Sequence, residues 1–280
     1  MAVNFNLSNI KKYFPNLNCR KKNFKLIENQ IFKILEKGDI KKKKIFNFSE
    51  FGKILFPYES MGKINSYDLF NANEFVIFYL YLYFKKKSKK KVAADLGANL
   101  GLHSIVLDKC GYKVKAYEPD PITYLKLKKN IILNKCKNVK LYNLAIYSKS
   151  SKMNFTRVKD NLTGSHLGNL KNSYGEKEIF KVKTQNIKNI IDEFGLVKMD
   201  IESAEAKVLC SLLKKDYLNT DFIVEIGNKD NSKKIFKFLV KKKLKCFSQK
   251  NNFKLVKKLK DMPINHKDGA LVISQNNLKL

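Results

Sequence analysis

The sequence predicts an α/β fold with a mostly parallel sheet that carries helices on both faces. Short apolar runs alternate with helix-like stretches from Lys91 onward, and this alternation is typical of a parallel sheet whose strands are joined by crossover helices. The first run leads into a glycine-bearing turn, and several runs end in an acidic residue. Of the 280 residues, 44% are hydrophobic, which is enough for one large core and an N-terminal extension.

The N-terminal part is expected to form a unit of its own. Residues 1–90 are predicted to be a helical extension with a short hairpin, and residues 91–280 the main domain. Residues 27–39 have the spacing of an amphipathic helix that stops at Gly38. Residues 51–70 predict a hairpin or loop that leads into the next helix.

That next helix is predicted from about Ser66 to Phe84 and contains the longest apolar run of the chain, Phe75–Phe84. The run is about half as long as the ~20 residues that a membrane-spanning helix needs. It therefore predicts a helix buried under a sheet and no transmembrane segment.

The main domain is predicted to begin with a strand at residues 92–95. Asp120 followed by Pro121 marks the start of the helix after the second strand. Alternating residues at 152–157 and 179–184 predict a hairpin inserted around a polar loop. The other strands are predicted at residues 113–118, 139–144, 196–200, 222–226, 244–248 and 269–274, and the helices at residues 100–109, 187–194, 204–215 and 232–243.

The net charge of +32 raises the question of nucleic-acid binding. Arg20 and Arg157 are the two arginines, so 55 of the 57 basic residues are lysines. Recognition of bases and phosphates usually recruits arginine for its bidentate geometry. We therefore expect solvated lysines and no specific nucleic-acid partner, and leave open a weak attraction to anionic surfaces.

Five cysteines occur without a Cys-x-x-Cys or Cys/His pairing, so the sequence predicts neither a zinc site nor a disulfide framework. The odd number and the lack of a signal peptide indicate a reducing, cytoplasmic location.

The stretch from Val92 to Asp120 suggests a nucleoside ligand. Gly97 and Gly101 bracket a strand-to-helix turn, and Glu118 follows Gly97 at the spacing at which an acid on the second strand binds ribose hydroxyls. Asn99 replaces the middle glycine of the dinucleotide fingerprint, and Asp95 would repel a pyrophosphate but attract an ammonium group. A ligand with a ribose, an amino group and no phosphate fits better, and S-adenosylmethionine is such a ligand. An ordinary strand-turn-helix is the alternative.

Five ordered motifs carry a family resemblance. They are "DLGANLGLHS" (Asp95–Ser104), "YEPD" (Tyr117–Asp120), "NLAI" (Asn143–Ile146), "VKMDIESAE" (Val197–Glu205) and "FIVEIG" (Phe222–Gly227). Together the motifs resemble the FkbM-type S-adenosylmethionine-dependent methyltransferases over residues 91–228. The resemblance implies the seven-stranded class I Rossmann-like methyltransferase fold and, usually, O-methylation of sugars or other small hydroxylated molecules.

The resemblance also implies roles for individual residues. Glu118 would hold the ribose, and Ser203 stands where the family commonly has glycine, which affects the backbone path after Asp200. Asp95, Gly97, Asn99 and Gly101 would hold the methionine end of the cofactor, Asn143 and Ala145 would border the adenine, and Ala98, His103 and Pro119 complete the predicted cofactor-binding set.

A second group of acids is predicted to do the chemistry. Asp200 and Glu225 follow neighbouring strands, so both should face the cleft at the carboxyl edge of the sheet, and Glu202 and Glu205 should share a helix face. The catalytic prediction is Asp200, Glu202 and Glu225, as a general base, as electrostatic partners of the sulfonium, or as ligands of Mg²⁺. The direct base is preferred, Mg²⁺ is not indicated, and no metal site is predicted. A favourable interaction with a helix dipole is the alternative for one glutamate.

His166 lies in a polar loop that would overhang the strand ends, either as a substrate contact or as a surface histidine. No Ser–His or lysine arrangement is expected at a strand end. The predicted function is O-methylation of a sugar, glycan or other small hydroxylated molecule. An RNA methyltransferase and a non-catalytic adaptor that retains the cofactor fold are the alternatives.

Overall fold

The computed structural model describes residues 2–7, 18, 22–36, 45–168 and 175–280. Strands and helices are numbered here in chain order. The strands are β1 Ala2–Phe5, β2 Ile45–Phe48, β3 Gly52–Leu55, β4 Val92–Leu96, β5 Lys113–Tyr117, β6 Val139–Tyr142, β7 Ala145–Tyr147, β8 Ser151–Val158, β9 His166–Leu167, β10 Lys177–Asn186, β11 Leu196–Met199, β12 Asp221–Val224, β13 Cys246–Ser248, β14 Lys254–Leu255 and β15 Leu271–Ile273. The helices are α1 Lys22–Glu36, α2 Ala72–Lys87, α3 Leu102–Lys109, α4 Pro121–Leu133, α5 Glu205–Leu209, α6 Asp216–Asn219 and α7 Lys229–Lys242.

The main sheet has the order β14-β13-β15-β12-β11-β4-β5-β6. Strands β6, β5, β4, β11 and β12 are parallel, and β15 runs antiparallel to both of its neighbours. The predicted α/β class with a mostly parallel sheet is therefore confirmed. The predicted count of seven strands differs from the observed eight, because the two-residue strand β14 adds an edge to β13.

Two apolar clusters cover the two faces of this sheet. Because side chains alternate along a strand, Ala93 points into one cluster and Ala94 into the other. The first cluster includes the buried side of α2, with Phe75 and Phe78. The predicted burial of the apolar run Phe75–Phe84 is confirmed, and none of the helices in the described ranges is long and apolar enough to span a bilayer.

The two helices that begin at the site have different N-termini. Gly101 caps α3 in a left-handed conformation (φ 91°), which glycine adopts without a steric penalty. Asp120 caps α4 by accepting hydrogen bonds from the backbone N–H groups of Ile122 and Thr123, and Pro121 occupies the first turn. The predicted start of this second helix is confirmed.

Two predicted helices are shorter than expected. Residues 187–194 form two 3₁₀ turns, and the helix predicted over 204–215 is limited to α5. Beyond α5 the side chain of Ser211 donates to the carbonyl of Val208, and Asp216 accepts from the backbone N–H of Leu213. Such local side-chain bonds compete with the helical ladder and favour turns.

The insertion after β6 forms a second sheet of order β7-β10-β8-β9. Strands β8 and β10 pair antiparallel from Ser151 to Val158, which confirms the predicted hairpin. The sheet places Phe155 and Leu167 beside the carboxyl end of the main sheet.

In the residues that the structure describes, the N-terminal part contains strands as well as the predicted helices. Strands β1, β2 and β3 form a small sheet of their own, and the hairpin β2–β3 begins at Ile45, before the predicted range of 51–70, and ends within that range at Leu55. The helix predicted over 27–39 is observed from Lys22 to Glu36, and its last three predicted positions lie outside the described residues. The helix predicted from Ser66 is split into a 3₁₀ turn and α2. The boundary at residue 90 stays a prediction.

Candidate active site

Two neighbouring cavities open at the carboxyl ends of the central strands. The first lies over β4 and β5 and is bordered by the inserted sheet. The second has a volume of about 350 Å³ and lies between the ends of β11 and β12 and the start of α2. Gly97, Asn99, Asp200 and Glu202 line both cavities, so the two adjoin each other. This edge of the sheet is where ligands of open α/β folds bind.

The turn after β4 requires glycine at residue 97. Gly97 has φ +77°, and a Cβ atom there would lie 1.9 Å from the carbonyl oxygen of Asp200. Its amide and that of Ala98 both donate to the carbonyl of Tyr117, which ties the turn to β5. Ala98 lines the second cavity, whereas Gly101, at the cap of α3, lines neither.

Glu118 is positioned at the end of β5 by two backbone donors. Its carboxylate accepts hydrogen bonds from the N–H of Asn99 at 2.8 Å and from the N–H of Asp120 at 3.0 Å. The residue is 6% exposed, and burial, together with the charges of Asp120 and Asp95, raises its pKa to about 7 despite those bonds. A carboxylate has about four acceptor positions, so two remain for hydroxyl donors in the first cavity.

Of the residues predicted to border the adenine, some line the first cavity and one supports the backbone behind it. Pro119 and Ala145 line the first cavity together with the apolar side chains of Ile146 and Phe155. Asn143 lines neither cavity, and its amide donates to the carbonyls of Glu118 and Pro119. Asn143 therefore holds the backbone that carries Glu118.

Asp120 is fixed by an arginine from the inserted sheet. Arg157 donates to both carboxylate oxygens of Asp120, at 2.6 and 2.7 Å, and also to Glu178. Both members of the Arg157–Asp120 pair are buried. Since Asp120 lines the first cavity and caps α4, this pair joins the insertion to the site.

Asp95 is enclosed and lines neither cavity. Its carboxylate accepts from the hydroxyl of Ser104 at 2.6 Å and lies 3.7 Å from the ammonium group of Lys198. Lys198 lies equally far from Asp200 and lines the second cavity. Burial opposes the charge of Lys198, but the carboxylates of Asp200, Asp95, Glu74 and Glu225 outweigh that effect and raise its pKa.

The expectation of no lysine at a strand end is therefore wrong. Lys198 is the third residue of β11, 5% exposed, and its ammonium group lies between two of the predicted site acids. Its signal in the sequence is a charged residue inside an otherwise apolar buried strand. A contact of Asp95 with the methionine end of a cofactor stays a prediction.

The structure brings Asp200, Glu202 and Glu225 together at the second cavity. Burial and the charges of Asp200, Glu74 and Glu202 raise the pKa of Glu225 well above its ordinary value, against the opposing charge of Lys198. A raised pKa favours the protonated form of the Glu225 carboxyl group. In the described residues, no group of three or more His, Cys, Asp or Glu side chains is arranged to hold a metal ion.

The expectation that Glu205 faces the cleft together with Glu202 is wrong. Glu202 and Ser203 have φ values of 49° and 78°, so the helix begins only at Glu205. The Glu205 carboxylate accepts from the N–H groups of Ile201 and Ser203 and from the amide of Asn231. It supports the turn after Asp200, and Ser203 has the left-handed conformation that explains the glycine common there in the family.

His103 contacts helix α2 and lines the second cavity, not the first. Its Nε2 lies 3.0 Å from the carboxylate of Glu74 and its Nδ1 lies 2.8 Å from the hydroxyl of Tyr81. Burial acts to raise the pKa of Glu74, but the charges of His103 and Lys198 outweigh it and lower that pKa. The sequence reasoning did not single out Glu74, which carries an ionised carboxylate into the site from α2.

His166 is not a surface histidine. It is 3% exposed, forms part of β9, and lies with its Nδ1 3.0 Å from the carbonyl oxygen of Gly164. It lines the first cavity beside Leu167. The position of His166 above the strand ends agrees with an overhanging loop, and a contact with substrate stays a prediction.

The reversed strand β15 in a mostly parallel sheet, and a cavity at the ends of β4 and β5, agree with the class I methyltransferase fold that the family resemblance implies. The family model described as "Methyltransferase FkbM domain" matches residues 95–252, more than half of the chain. The chain belongs to the FkbM methyltransferase family and is a methyltransferase. This membership supports S-adenosylmethionine as the methyl donor.

Comparison with curated proteins finds no match. Solved structures to which the chain is similar include precorrin-6y C5,15-methyltransferase from Geobacter metallireducens, with 9% identity and a TM-score of 0.40 over 72% of this chain and 89% of that one. A putative O-methyltransferase from Klebsiella pneumoniae has 8% identity and a TM-score of 0.40 over 71% and 78%. The tRNA (uracil-54, C5)-methyltransferase of Pyrococcus abyssi has 11% identity and a TM-score of 0.39 over 82% and 44%. Nothing about the acceptor follows from similarities this low.

Proposed function

We propose that the protein is an S-adenosylmethionine-dependent O-methyltransferase that acts on a hydroxyl group of a sugar, a glycan or another small hydroxylated molecule. One observation carries the proposal. The cavity that contains Glu118 adjoins a second cavity lined by Asp200, Glu202 and Glu225, so a methyl donor in the first would border an acceptor in the second. Bound S-adenosylmethionine supplies a methyl group already activated by a sulfonium.

The residues of the first cavity suit that cofactor. Glu118 offers free acceptor positions to the ribose hydroxyls, and Pro119, Ala145 and Phe155 offer apolar surface to the adenine. Gly97, Ala98 and Asn99 bring backbone close to the junction of the two cavities. We assign Asp95, Gly101 and Asn143 to the support of this binding surface, because none of them lines it.

The second cavity supplies what an unactivated hydroxyl needs. The hydroxyl must be held in line with the methyl carbon, and its proton must be taken as the bond forms. Asp200 and Glu202 line both cavities, and the raised pKa of Glu225 suits this carboxyl group to take up the proton that Asp200 removes from the acceptor, which an amide could not do. Asp200 is therefore the preferred base among the three proposed catalytic acids.

A direct base agrees better with this site than Mg²⁺ does. The ammonium group of Lys198, 3.7 Å from both Asp95 and Asp200, already balances part of the negative charge that a divalent cation would neutralise. Mg²⁺ prefers an oxygen cage with several waters.

The second cavity also disfavours the RNA alternative. Asp68, Glu74, Asp200, Glu202 and Glu225 line it, so a phosphate group would meet several carboxylates there. A neutral acceptor rich in hydroxyl groups meets hydrogen-bond acceptors instead. The site also disfavours a non-catalytic adaptor. Burying ionisable groups is costly, and an adaptor would have no need for several of them at the second cavity.

Single amide variants test the proposed acids. Asp200→Asn and Glu225→Gln keep the shape of each side chain, and both should lower turnover of S-adenosylmethionine with a glycan extract by ~10²-fold or more. Binding of S-adenosylhomocysteine, measured by calorimetry, should persist. Glu176→Gln is the matched control, because Glu176 is exposed and pairs with Lys159 on the surface.

Chelation separates the two versions of the chemistry. EDTA should leave turnover unchanged if a carboxylate is the base, whereas loss of turnover that Mg²⁺ restores would assign the acids to a metal. Normal turnover in both amide variants would remove these acids from the mechanism, and His166 would be the next residue to test.

A further inference from the structure

Helix α4 exposes a stripe of large apolar side chains. Ile122, Leu125, Ile132 and Leu133 are 52%, 57%, 66% and 42% exposed, and all four lie on the side of the helix that faces away from the core. Single exposed apolar residues are normal on a soluble protein, but several on one face mark an interaction site. The opposite side of the helix is buried through Thr123, Leu127, Asn130 and Ile131.

The charge around this stripe is mainly positive. Lys126 borders the stripe and pairs with Glu59 at 2.8 Å. Lys129 lies within the stripe and Lys128 beside it, and in the described part of the chain no carboxylate pairs with either. Residues 121–140, which contain α4 and part of β6, hold six lysines and no aspartate or glutamate. The whole chain has 25 acidic residues among 280, so a stretch of this length would be expected to hold about two. The local charge therefore exceeds the general basic character of the chain.

An apolar stripe surrounded by lysines suits some classes of binding partner better than others. A second copy of the chain would bring lysines against lysines, and nucleic acid gains nothing from four apolar side chains. A stable protein interface buries about 800 Å² on each partner, more than one convex face of a thirteen-residue helix offers. A lipid surface needs no shape complementarity, and it accepts apolar side chains at the acyl boundary while lysines reach the anionic headgroups.

We propose that this α4 face, centred on Leu125, Lys129 and Ile132, docks the protein onto the surface of an anionic phospholipid bilayer. The docking is peripheral, with the apolar side chains entering the headgroup region and the lysines pairing with lipid phosphates and carboxylates. It is independent of the methyl-transfer proposal, because none of these residues lines either cavity.

Vesicle flotation with the full chain tests the proposal. The wild type should float with vesicles of phosphatidylcholine and phosphatidylglycerol at 7:3 and not with phosphatidylcholine alone. Leu125→Ser/Ile132→Ser should lower the bound fraction by about tenfold at constant charge, and Lys128→Gln/Lys129→Gln should lower it and weaken its salt dependence. Leu218→Ser/Val240→Ser is the matched control, because both side chains are equally exposed on other helices, and it should bind like the wild type.

Three results would overturn the proposal. They are failure of the wild type to bind anionic vesicles, binding that the Leu125/Ile132 variant retains, and dimerisation in sedimentation that this variant abolishes. Binding lost equally in the control variant would assign the effect to general surface composition. Circular dichroism and calorimetric binding of S-adenosylhomocysteine verify that each variant is folded.

Discussion

Cofactor affinity should depend on pH through Glu118. In the free protein burial raises the pKa of this carboxyl to about 7. Ribose hydroxyl groups donate hydrogen bonds to the ionised form, so binding favours the carboxylate and lowers its pKa. The affinity for S-adenosylhomocysteine should therefore rise with pH, and binding near pH 7 should release protons.

The size of the pH effect on affinity follows from the pKa of Glu118 in the ligand-free protein. At pH 6 roughly nine-tenths of the molecules carry protonated Glu118, and at pH 8 only about one-tenth do. If the carboxylate alone binds the ribose, the dissociation constant at pH 6 is about tenfold larger than at pH 8, which corresponds to ~1.4 kcal/mol. Near pH 7 about half a proton should leave per ligand bound.

Isothermal titration calorimetry at several pH values, in two buffers of different ionisation enthalpy, measures both quantities. Glu118→Gln keeps one acceptor for the backbone donors and removes the titration, so its affinity should be lower and nearly independent of pH. An affinity that does not change between pH 6 and pH 8 in the wild type, with no proton release, would refute the role of Glu118. An unaltered slope in Glu118→Gln would assign the titration to another group.

Three further experiments, with four variants, test the support of the site by chemical denaturation. Gly97 and Gly52 both have φ +77°, but an added Cβ would overlap Asp200 at Gly97 and would meet no atom within 4 Å at Gly52. Gly52→Ala should therefore lower the free energy of unfolding by ~1–2 kcal/mol through backbone strain alone, and Gly97→Ala by more than ~3 kcal/mol because overlap adds to strain. Equal losses in the two variants would contradict this explanation. Burial raises the pKa of Glu205 to about 8, so the folded protein binds this proton more tightly than the unfolded chain does. The free energy of unfolding should therefore fall by roughly 3 kcal/mol from pH 5 to pH 8. Glu205→Gln should flatten this pH dependence, and an unchanged pH dependence in the variant would refute the role of Glu205. Arg157→Lys keeps the charge but loses the paired bonds to Asp120 and should cost ~1.5–3 kcal/mol, and a loss under ~0.5 kcal/mol would show that the geometry matters little.

The parallel core of the fold could be predicted because apolar runs, glycine turns and caps all indicated the same elements. Val92–Leu96 and the start of α4 are examples in which local pattern and tertiary structure agree. The short turns at residues 187–193 could not be recognised, since their apolar residues are spaced like those of a helix. The strands β1 and β2 pair across forty residues, a contact that no local pattern contains.

The site was predicted best where one motif holds both the residue and its strand end. Glu118, Asp200 and Glu225 lie at cavities because each follows a strand directly. Lys198 was missed as one lysine among 55, although a charged residue inside an apolar strand is a recognisable signal. Glu74 reaches the second cavity only through the packing of α2 on α3. The orientation of Glu205 was not predictable either, because it depends on two consecutive residues with positive φ.

Transfer of a labelled methyl group to an acceptor shows directly whether the protein methylates carbohydrate hydroxyl groups. The full chain is incubated with methyl-labelled S-adenosylmethionine and with separate glycan, glycolipid and RNA fractions, and the label is followed into each. Label is expected in carbohydrate as a methyl ether stable to mild alkali, formed with one equivalent of S-adenosylhomocysteine and lost in Asp200→Asn. Label in RNA, or no release of S-adenosylhomocysteine with any fraction, would contradict it.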